Sequence, residues 1–408
     1  MDINILAPHG GSIDGFLNEK KLRKPFSLIA VKFVECFSKS ILKEGSLKMY
    51  PDIVSLGFWM RRSNIKKLES EFEEKQQISN SSVVKVPVGT VVHFAPSNVD
   101  TIFIYSLFLS FLLGNKNIVR VSSKPSEQKD ILVNLINRIL CQPEFSTIKN
   151  DICIVNYLHS QEISGYLSQN ADLRVIWGGD DAVNEISSMP LLPRANEIKF
   201  ANKYSIALID SNSLGDLKST EFELLIKHFV NDSFWFSQQG CSSPRSVYWL
   251  NSVDNLNEIE KFWEAVAGKA KKLFPDLIVA ADVVNKIVAS NMMVANHEGY
   301  KILTNTEMLT RVQDPGRGGH NDFKEYHCGS GLFVEEYLSE ISDLIGVVGR
   351  DTQTISYFGF EVESLKNKLL QYNILPDRVV PLGKSLEFST VWDGYDLLES
   401  MTRSVTFE

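Results

Sequence analysis

From residue 83 to residue 210 the chain alternates short β-branched apolar runs with helical stretches. That alternation restricts it to a parallel α/β architecture. Residues 83–94 (Val-Val-Lys-Val-Pro-Val-Gly-Thr-Val-Val-His-Phe) read as strand and residues 95–98 (Ala-Pro-Ser-Asn) as a loop. Residues 100–113 read as an apolar helix stopped by Gly114 and Asn115, and residues 117–121 as the next strand. Strand, apolar helix, glycine stop and strand make a βαβ unit. The pattern recurs as helix 126–140, strand 152–157, helix 160–168, strand 173–177, helix 181–187 and strand 206–210. Repetition of the unit predicts a doubly wound nucleotide-binding layer. Further on, the spacing predicts helix 219–230, strand 246–250 and helix 256–272, and near the N-terminus helices over 17–45 and 64–77.

The 408 residues exceed one ordinary core, so two domains are expected, with a boundary near residue 204. A hydrophobic content of 44% with 23% charged residues is that of a globular, non-fibrous chain. The net charge of −8, without a basic run or basic helix, argues against a nucleic-acid or anionic-membrane partner. The five cysteines, Cys36, Cys141, Cys153, Cys241 and Cys328, form no CxxC pair and the seven histidines no metal spacing, so neither a metal site nor a disulfide framework is expected. Scattered thiols and the lack of a signal-peptide pattern in residues 1–15 predict a reducing, cytoplasmic setting. The most apolar run, residues 101–113, is too short for a bilayer and reads as a buried helix.

One thiol stands out. Cys241 follows Gln239-Gly240 and precedes Ser242 and Ser243, so its neighbours are small and a substrate carbonyl can approach the sulfur. A lone cysteine is either a reactive thiol or ordinary packing, and spacing does not separate the two.

Taken in order, Pro96-Ser97-Asn98, Gly114-Asn115 with a basic residue at 120, Trp177-Gly178-Gly179 and Gln239-Gly240-Cys241 resemble the aldehyde dehydrogenase superfamily. Three segments resemble, within it, the acyl-CoA reductase family typified by the fatty-acid reductase of bacterial luminescence. They are residues 177–183 (Trp-Gly-Gly-Asp-Asp-Ala-Val), residues 237–244 (Ser-Gln-Gln-Gly-Cys-Ser-Ser-Pro), and the tail of 377–383 (Asp-Arg-Val-Val-Pro-Leu-Gly) with 391–394 (Val-Trp-Asp-Gly). The similarity runs from about residue 80 to 400.

The resemblance implies an aldehyde dehydrogenase-like α/β fold. It places an NADP(H)-binding domain over residues 1–203, a catalytic thiol domain over 204–400, a tail over 401–408, and the site in the cleft between the domains. It also assigns roles. Cys241 is the nucleophile that becomes acylated by a thioester. Asn98 donates to the oxyanion, a contribution of roughly 3–4 kcal/mol in such sites, although a Pro-Ser-Asn stretch alone is only a turn. Pro96, Gly178 and Gly179 lie along the cofactor. Arg120 stands where the superfamily usually has a lysine for the adenosine ribose. Ser123, beside Ser122 and Lys124, stands where NAD-preferring members often carry a carboxylate. Arginine and serine accept a 2′-phosphate that a carboxylate repels, so NADPH is the expected cofactor. Asp180 and Asp181, read as a helix N-cap after the glycines, disfavour a tightly held phosphate there, so this is no P-loop.

Hydrolytic relatives activate water with a glutamate just before the catalytic domain. Counted back from Ser205, that place falls on Phe200, with Glu197 three residues away. Loss of this base favours reduction of the acyl-enzyme over hydrolysis. His320 and His327 flank the loop 314–320; a histidine there could protonate a departing thiol or aldehyde oxygen, but each is read as a loop residue. The superfamily's Glu-Ile-Phe-Gly-Pro motif has no match in 323–332, so no residue is assigned to the nicotinamide ribose.

The expected activity is NADPH-dependent reduction of an acyl-CoA or acyl-carrier thioester, with a long-chain fatty acyl group, to an aldehyde. By analogy, acyltransferase or synthetase subunits and a homo-oligomer are the expected partners. Two alternatives are an aldehyde dehydrogenase that makes acids and a catalytically silent binding subunit of a multienzyme complex.

Overall fold

The computed structural model describes residues 2–19, 21–78, 82–97, 99–275, 279–316 and 322–407. The chain divides into two compact units, residues 1–201 with 388–408, and residues 202–387.

The first unit is built on a six-stranded sheet. Its strands are β1 (Asn4–Ala7), β3 (Thr90–Phe94), β4 (Lys116–Arg120), β5 (Ile152–Asn156), β6 (Leu173–Trp177) and β7 (Asn196–Phe200); β2 (Val83–Pro87) lies outside it. The order is β1-β5-β4-β3-β6-β7, parallel throughout except for β1 against β5. From β3 the chain winds outward through β4 to β5, then crosses back to place β6 on the other side of β3. That reversal is the doubly wound topology, with its switch point between β3 and β6. Successive residues alternate between faces: Ile152 and Ile154 join one core cluster, Cys153 and Val155 another.

Helices α1 (Ile13–Asn18), α2 (Leu28–Lys43), α3 (Pro51–Trp59) and α4 (Arg62–Ile78) precede the main strands, and α5 (Ile102–Leu112), α6 (Glu127–Leu140), α7 (Gln161–Gln169) and α8 (Asp180–Ser187) connect them. Every residue of α5 is buried, as an apolar helix without a polar face requires. Its outer side is covered by α2, whose Phe33 and Phe37 meet Phe108 edge-on at 5.8 and 4.9 Å. α2, which precedes every segment that carries the sequence resemblance, thus supplies a layer that dries α5. Burying each such ring contributes about 1.5–3 kcal/mol. α5 ends at Gly114, which has φ +87; a Cβ there would lie 2.2 Å from the Arg23 carbonyl oxygen, so no larger residue fits this C-cap position.

Two expectations change here. Residues 17–45 are not one helix: α1 and α2 are separated around Pro25 and Phe26, where proline removes a donor and Phe26 takes φ +51. Its N–H donates instead to the Leu112 carbonyl at 2.6 Å. The strand expected over 83–94 breaks at Pro87, leaving β2 and β3 as separate strands in separate sheets.

The second unit carries a seven-stranded sheet of β8 (Tyr204–Asp210), β9 (Pro244–Leu250), β10 (Lys301–Asn305), β11 (Thr310–Gln313), β12 (Leu332–Leu338), β13 (Thr352–Phe358) and β14 (Arg378–Pro381). The order is β10-β11-β12-β9-β8-β13-β14, parallel except for β10. A short helix α9 (Asn212–Gly215) follows β8. α10 (Ser219–Phe234) and α11 (Leu256–Leu273) pack with Ala207 and Ile209 on one face; α12 (Ala280–Asn296) and α13 (Val362–Gln371) pack with Ile206 and Leu208 on the other.

After β14 the chain rejoins the first unit through the hairpin β15 (Val391–Trp392) and β16 (Tyr395–Asp396), then α14 (Leu397–Ser400) and β17 (Thr402–Thr406). Phe388 stacks on Tyr105 at 4.9 Å, Trp392 meets Trp177 at 6.1 Å, and β17 pairs with β2. Residues 388–400, expected in the second domain, and 401–408, expected as a tail, therefore belong with the first unit. Aromatic burial and strand pairing hold them there. No helix among the described residues is long and apolar enough to cross a membrane.

Candidate active site

In the first unit the residues expected to touch a dinucleotide come together along one edge of the sheet. Pro96 follows the end of β3, Arg120 ends β4 with Ser122 and Ser123 just beyond, and Gly178 and Gly179 follow β6. β4, β3 and β6 are adjacent strands. These residues therefore line the carboxyl ends of the strands at the switch point, where open α/β sheets hold their ligands. The strand ends are bonded down: Ala95 N–H donates to the Arg120 carbonyl at 2.9 Å, and Gly178 N–H to that of Phe200 at 3.1 Å.

The Arg120 guanidinium lies 5.4 Å from the centroid of the Tyr157 ring, whose hydroxyl bonds Ser164 at 2.9 Å. Ser122 Oγ accepts from Lys124 N–H at 3.2 Å, leaving Ser123 and Lys124 exposed. Half-buried arginine, exposed serine and lysine make a donor set that suits a phosphate, with no carboxylate among them. A Cβ on Gly178 would stand 3.3 Å from the Ala182 methyl, so the bare backbone leaves room there. A dinucleotide phosphate fits this donor set. Asp180 and Asp181 occupy the first turn of α8, and the N-cap is Gly179, without a side-chain cap bond. The expected aspartate N-cap is thus replaced by two acidic residues that favour the helix dipole. Asn98 and His320 lie outside the described residues.

Beneath this edge runs a buried polar chain. Trp177 Nε1–H donates to Ser106 Oγ at 3.1 Å, Ser106 bonds His93 Nδ1 at 2.8 Å, and His93 Nε2 bonds Asn117 Oδ1 at 3.1 Å. Because Asn117 Nδ2 donates to the Asn115 carbonyl at 2.9 Å, its Oδ1 accepts from His93, and the ring is neutral. Burial pulls the His93 pKa down to about 4, against a smaller opposing effect of Asn117.

Phe200, at the place of the hydrolytic glutamate, is buried and stacks on Trp177 at 3.6 Å. Glu197 is engaged elsewhere. Its carboxylate accepts from Arg174 Nε at 2.5 Å, pairs with Lys199 at 2.9 Å, and meets Ser187 Oγ at 3.2 Å. Burial alone would raise its pKa, but Lys199 and Arg174 together hold it below the ordinary value. A carboxylate so occupied is a poor base.

In the second unit Cys241 is half-buried on a turn between α10 and β9. Three residues before it, Phe236, Ser237 and Gln238, take φ of +55, +52 and +61. Left-handed backbone at non-glycine residues costs about 1–2 kcal/mol each, so surrounding bonds must hold it. The buried Gln238 amide donates to the Pro244 carbonyl at 2.9 Å and the Leu332 carbonyl at 3.0 Å, and accepts from Gly331 N–H at 2.9 Å. Ser330 N–H donates to the Ser237 carbonyl at 2.8 Å, and Gln239 Nε2 to that of Cys328 at 2.8 Å. A Cβ at Gly329 would come 2.5 Å from that Gln239 nitrogen. From the other side, Ser205 Oγ donates to the Cys241 carbonyl at 2.6 Å and accepts from Thr354 N–H at 3.1 Å.

The other groups of this loop bed are structural. His327 Nε2–H donates to the Leu332 carbonyl at 2.7 Å and Nδ1 accepts from Gly329 N–H at 3.1 Å. Burial, then the Arg245 charge, pulls its pKa to about 3, so the ring is the neutral Nε2–H form at pH 7 and not an imidazolium acid. Burial pushes the Cys328 thiol up, and Cys153 to about 12, which keeps both from the nucleophilic thiolate form. No cluster of three or more metal-ligating side chains occurs among the described residues.

Gln238, Ser205 and Gly329 were not singled out from sequence. The only available signal was the Gln-Gln doublet before Gly240 and the Gly-Ser-Gly at 329–331.

The fold is that of the aldehyde dehydrogenases. Aldehyde dehydrogenase 21 from Physcomitrella patens, solved with the product succinate, superposes with a TM-score of 0.65 at 11% identity, covering 93% of this chain and 85% of that one. Lactaldehyde dehydrogenase from Escherichia coli gives 0.65 at 12% identity over 97% and 88% of the two chains. Betaine aldehyde dehydrogenase from Staphylococcus aureus, solved with NAD+, gives 0.62 at 16% over 93% and 81%.

Within that fold the chain belongs to the acyl-CoA reductase (LuxC) family, whose model matches residues 47–404. The match begins earlier than residue 80, where the sequence signals begin. Curated relatives include the long-chain acyl-protein thioester reductases of Aliivibrio fischeri, 23% identical over 343 residues, and Photorhabdus luminescens, 24% over 333. Each alignment covers 79% of this chain; it spans 64% of the first relative's length and 63% of the second's.

Proposed function

We propose that the protein reduces an acyl thioester to an aldehyde with NADPH, through an acyl group held on Cys241. The observation that carries this reading is the placement of Cys241. It is a half-buried thiol after three left-handed residues, on a turn secured from both sides, in a chain of the acyl-CoA reductase family. Strain of that kind persists where surrounding structure over-determines it, and such places cluster at active sites.

The Cys241 sulfur, as thiolate, attacks the thioester carbonyl carbon. The new C–S bond forms as the bond to the departing thiol breaks, and the proton lost from Cys241 ends on that thiol. NADPH held along Pro96, Arg120, Ser122, Ser123, Gly178 and Gly179 would supply a hydride to the acyl carbon. The Cys241 sulfur then leaves as thiolate and the aldehyde is released. Asn98 keeps the oxyanion role on sequence grounds. Phe200 in place of a carboxylate, with Glu197 tied to Arg174 and Lys199, supports reduction over hydrolysis. Arg120, Ser122 and Ser123 support NADPH over NADH, and Pro96, Gly178 and Gly179 line the cofactor. Long-chain acyl groups, carried on coenzyme A or on a protein, are the proposed substrates, following the names of the relatives.

The test is incubation with radiolabelled long-chain acyl-CoA, then NADPH. The expected result is label on the wild-type chain, none on Cys241→Ala, and its discharge as aldehyde when NADPH is added. Discharge as free acid, or label retained by Cys241→Ala, overturns the reading.

A further inference from the structure

The turn after β4 is held from below by a buried cation. Lys129 lies in the first turn of α6 and is 5% exposed. A positive charge at a helix N-terminus opposes the dipole, and burying an ammonium is costly unless its donors are satisfied. Here the ammonium donates to the Ser122 carbonyl at 3.0 Å and to the Lys124 carbonyl at 2.5 Å. The same helix start is tied down elsewhere: Ser126 caps it by accepting from Lys129 N–H at 3.4 Å and donates its own hydroxyl to Asp100. The Ser122 hydroxyl closes the turn by accepting from Lys124 N–H. With both carbonyls turned inward onto Lys129, the exposed Ser123 and Lys124 side chains are left facing solvent.

We infer that Lys129 is a positioning residue that makes this turn selective for an adenosine 2′-phosphate. The inference rests on the NADPH reading and deepens it. Lys129 does not meet the phosphate; it fixes the backbone that presents Ser123 and Lys124, and it withdraws two carbonyl oxygens that would repel an anion. Removing the ammonium frees those carbonyls and loosens the turn. The loss falls on ligands that carry the 2′-phosphate, because only they reach these side chains.

The experiment is calorimetric titration of the full chain with 2′,5′-ADP and with 5′-ADP, for wild type, Lys129→Met and Lys129→Arg. Hydrogen exchange at the Lys124 amide is followed in the ligand-free proteins. Lys129→Met is expected to weaken 2′,5′-ADP binding at least tenfold, leave 5′-ADP within twofold, and speed exchange at Lys124; Lys129→Arg is expected to restore part of the selectivity. An equal loss for both ligands, or a selectivity unchanged in Lys129→Met, overturns the inference while leaving the cofactor reading intact. A wild type that binds both probes equally overturns the cofactor reading, and this inference with it. Should Lys129→Met not fold, Lys129→Gln is titrated in its place against the same outcomes.

Discussion

The two candidate regions are built by opposite means. Pro96, Arg120, Ser122, Ser123, Gly178 and Gly179 stand at the ends of three adjacent parallel strands, and regular βα geometry is enough to bring them to one edge. Cys241 stands on an irregular turn with three left-handed residues, held in place by its own Gln238 amide on the Pro244 and Leu332 carbonyls and by Ser205 from β8. The proposed cofactor edge thus follows from topology alone, and residues on it are replaceable one at a time. A nucleophile presented on a strained turn depends on its whole bed.

That contrast is breakable by experiment. The largest effect is expected at the sulfur: Cys241→Ala should lower aldehyde formation by at least about 10³-fold, as loss of a covalent nucleophile does, measured by initial rates with saturating acyl-CoA. Next is Gln238→Ala, which strands the buried Gly331 N–H and the Pro244 carbonyl and takes one of two donors from the Leu332 carbonyl, where His327 remains. At about 1–3 kcal/mol for each of the two unpaired groups, a loss of about 2–6 kcal/mol is expected in denaturant titration. A loss below 1 kcal/mol would show that the strained turn does not rely on this amide.

In the first unit, His93 stays neutral in the fold down to about pH 4, whereas an unfolded histidine takes its proton near 6.5. Acid therefore favours the unfolded chain. Stability from this group is complete above pH 6.5 and falls as pH drops toward 4, by about 3 kcal/mol in all. Unfolding midpoints of wild type and His93→Gln across this window should converge at the acid end; parallel curves would exclude His93 as the source. The smallest effect belongs to the edge itself. Ser123→Asp should cut the preference for NADPH over NADH about tenfold, about 1.4 kcal/mol, without changing the unfolding midpoint. An edge residue whose replacement unfolds the protein would erase the distinction between the two regions.

Much of the first unit was legible because its elements are long and periodic. α5 reads as buried from its lack of a polar face, and the β3, β4 and β6 ends follow from the βαβ repeat. The break at Pro87 was not legible, since the apolar alternation runs across it and only the pairing of β2 with β17, some 320 residues away, separates the strands. Phe26 shows the same difficulty, its left-handed backbone being held by the Leu112 carbonyl. At the thiol, small neighbours marked Cys241 as approachable. Nothing local marked Phe236 and Ser237 as left-handed, because neither is a residue that favours that conformation.

By itself, then, the chain's order of residues determined the doubly wound layer, the strand edge proposed for a dinucleotide and which cysteine to suspect. These depend on local periodicity and on small or turn-forming residues, whose effects reach only a few positions. Tertiary structure alone decided that residues 388–408 return to the first unit, that Glu197 is occupied by Arg174 and Lys199, that Lys129 grips the turn after β4, and that Gln238 holds the cysteine turn. Each of those depends on partners that only folding brings within hydrogen-bond distance, where burial makes an unpaired group costly and so makes the pairing obligatory.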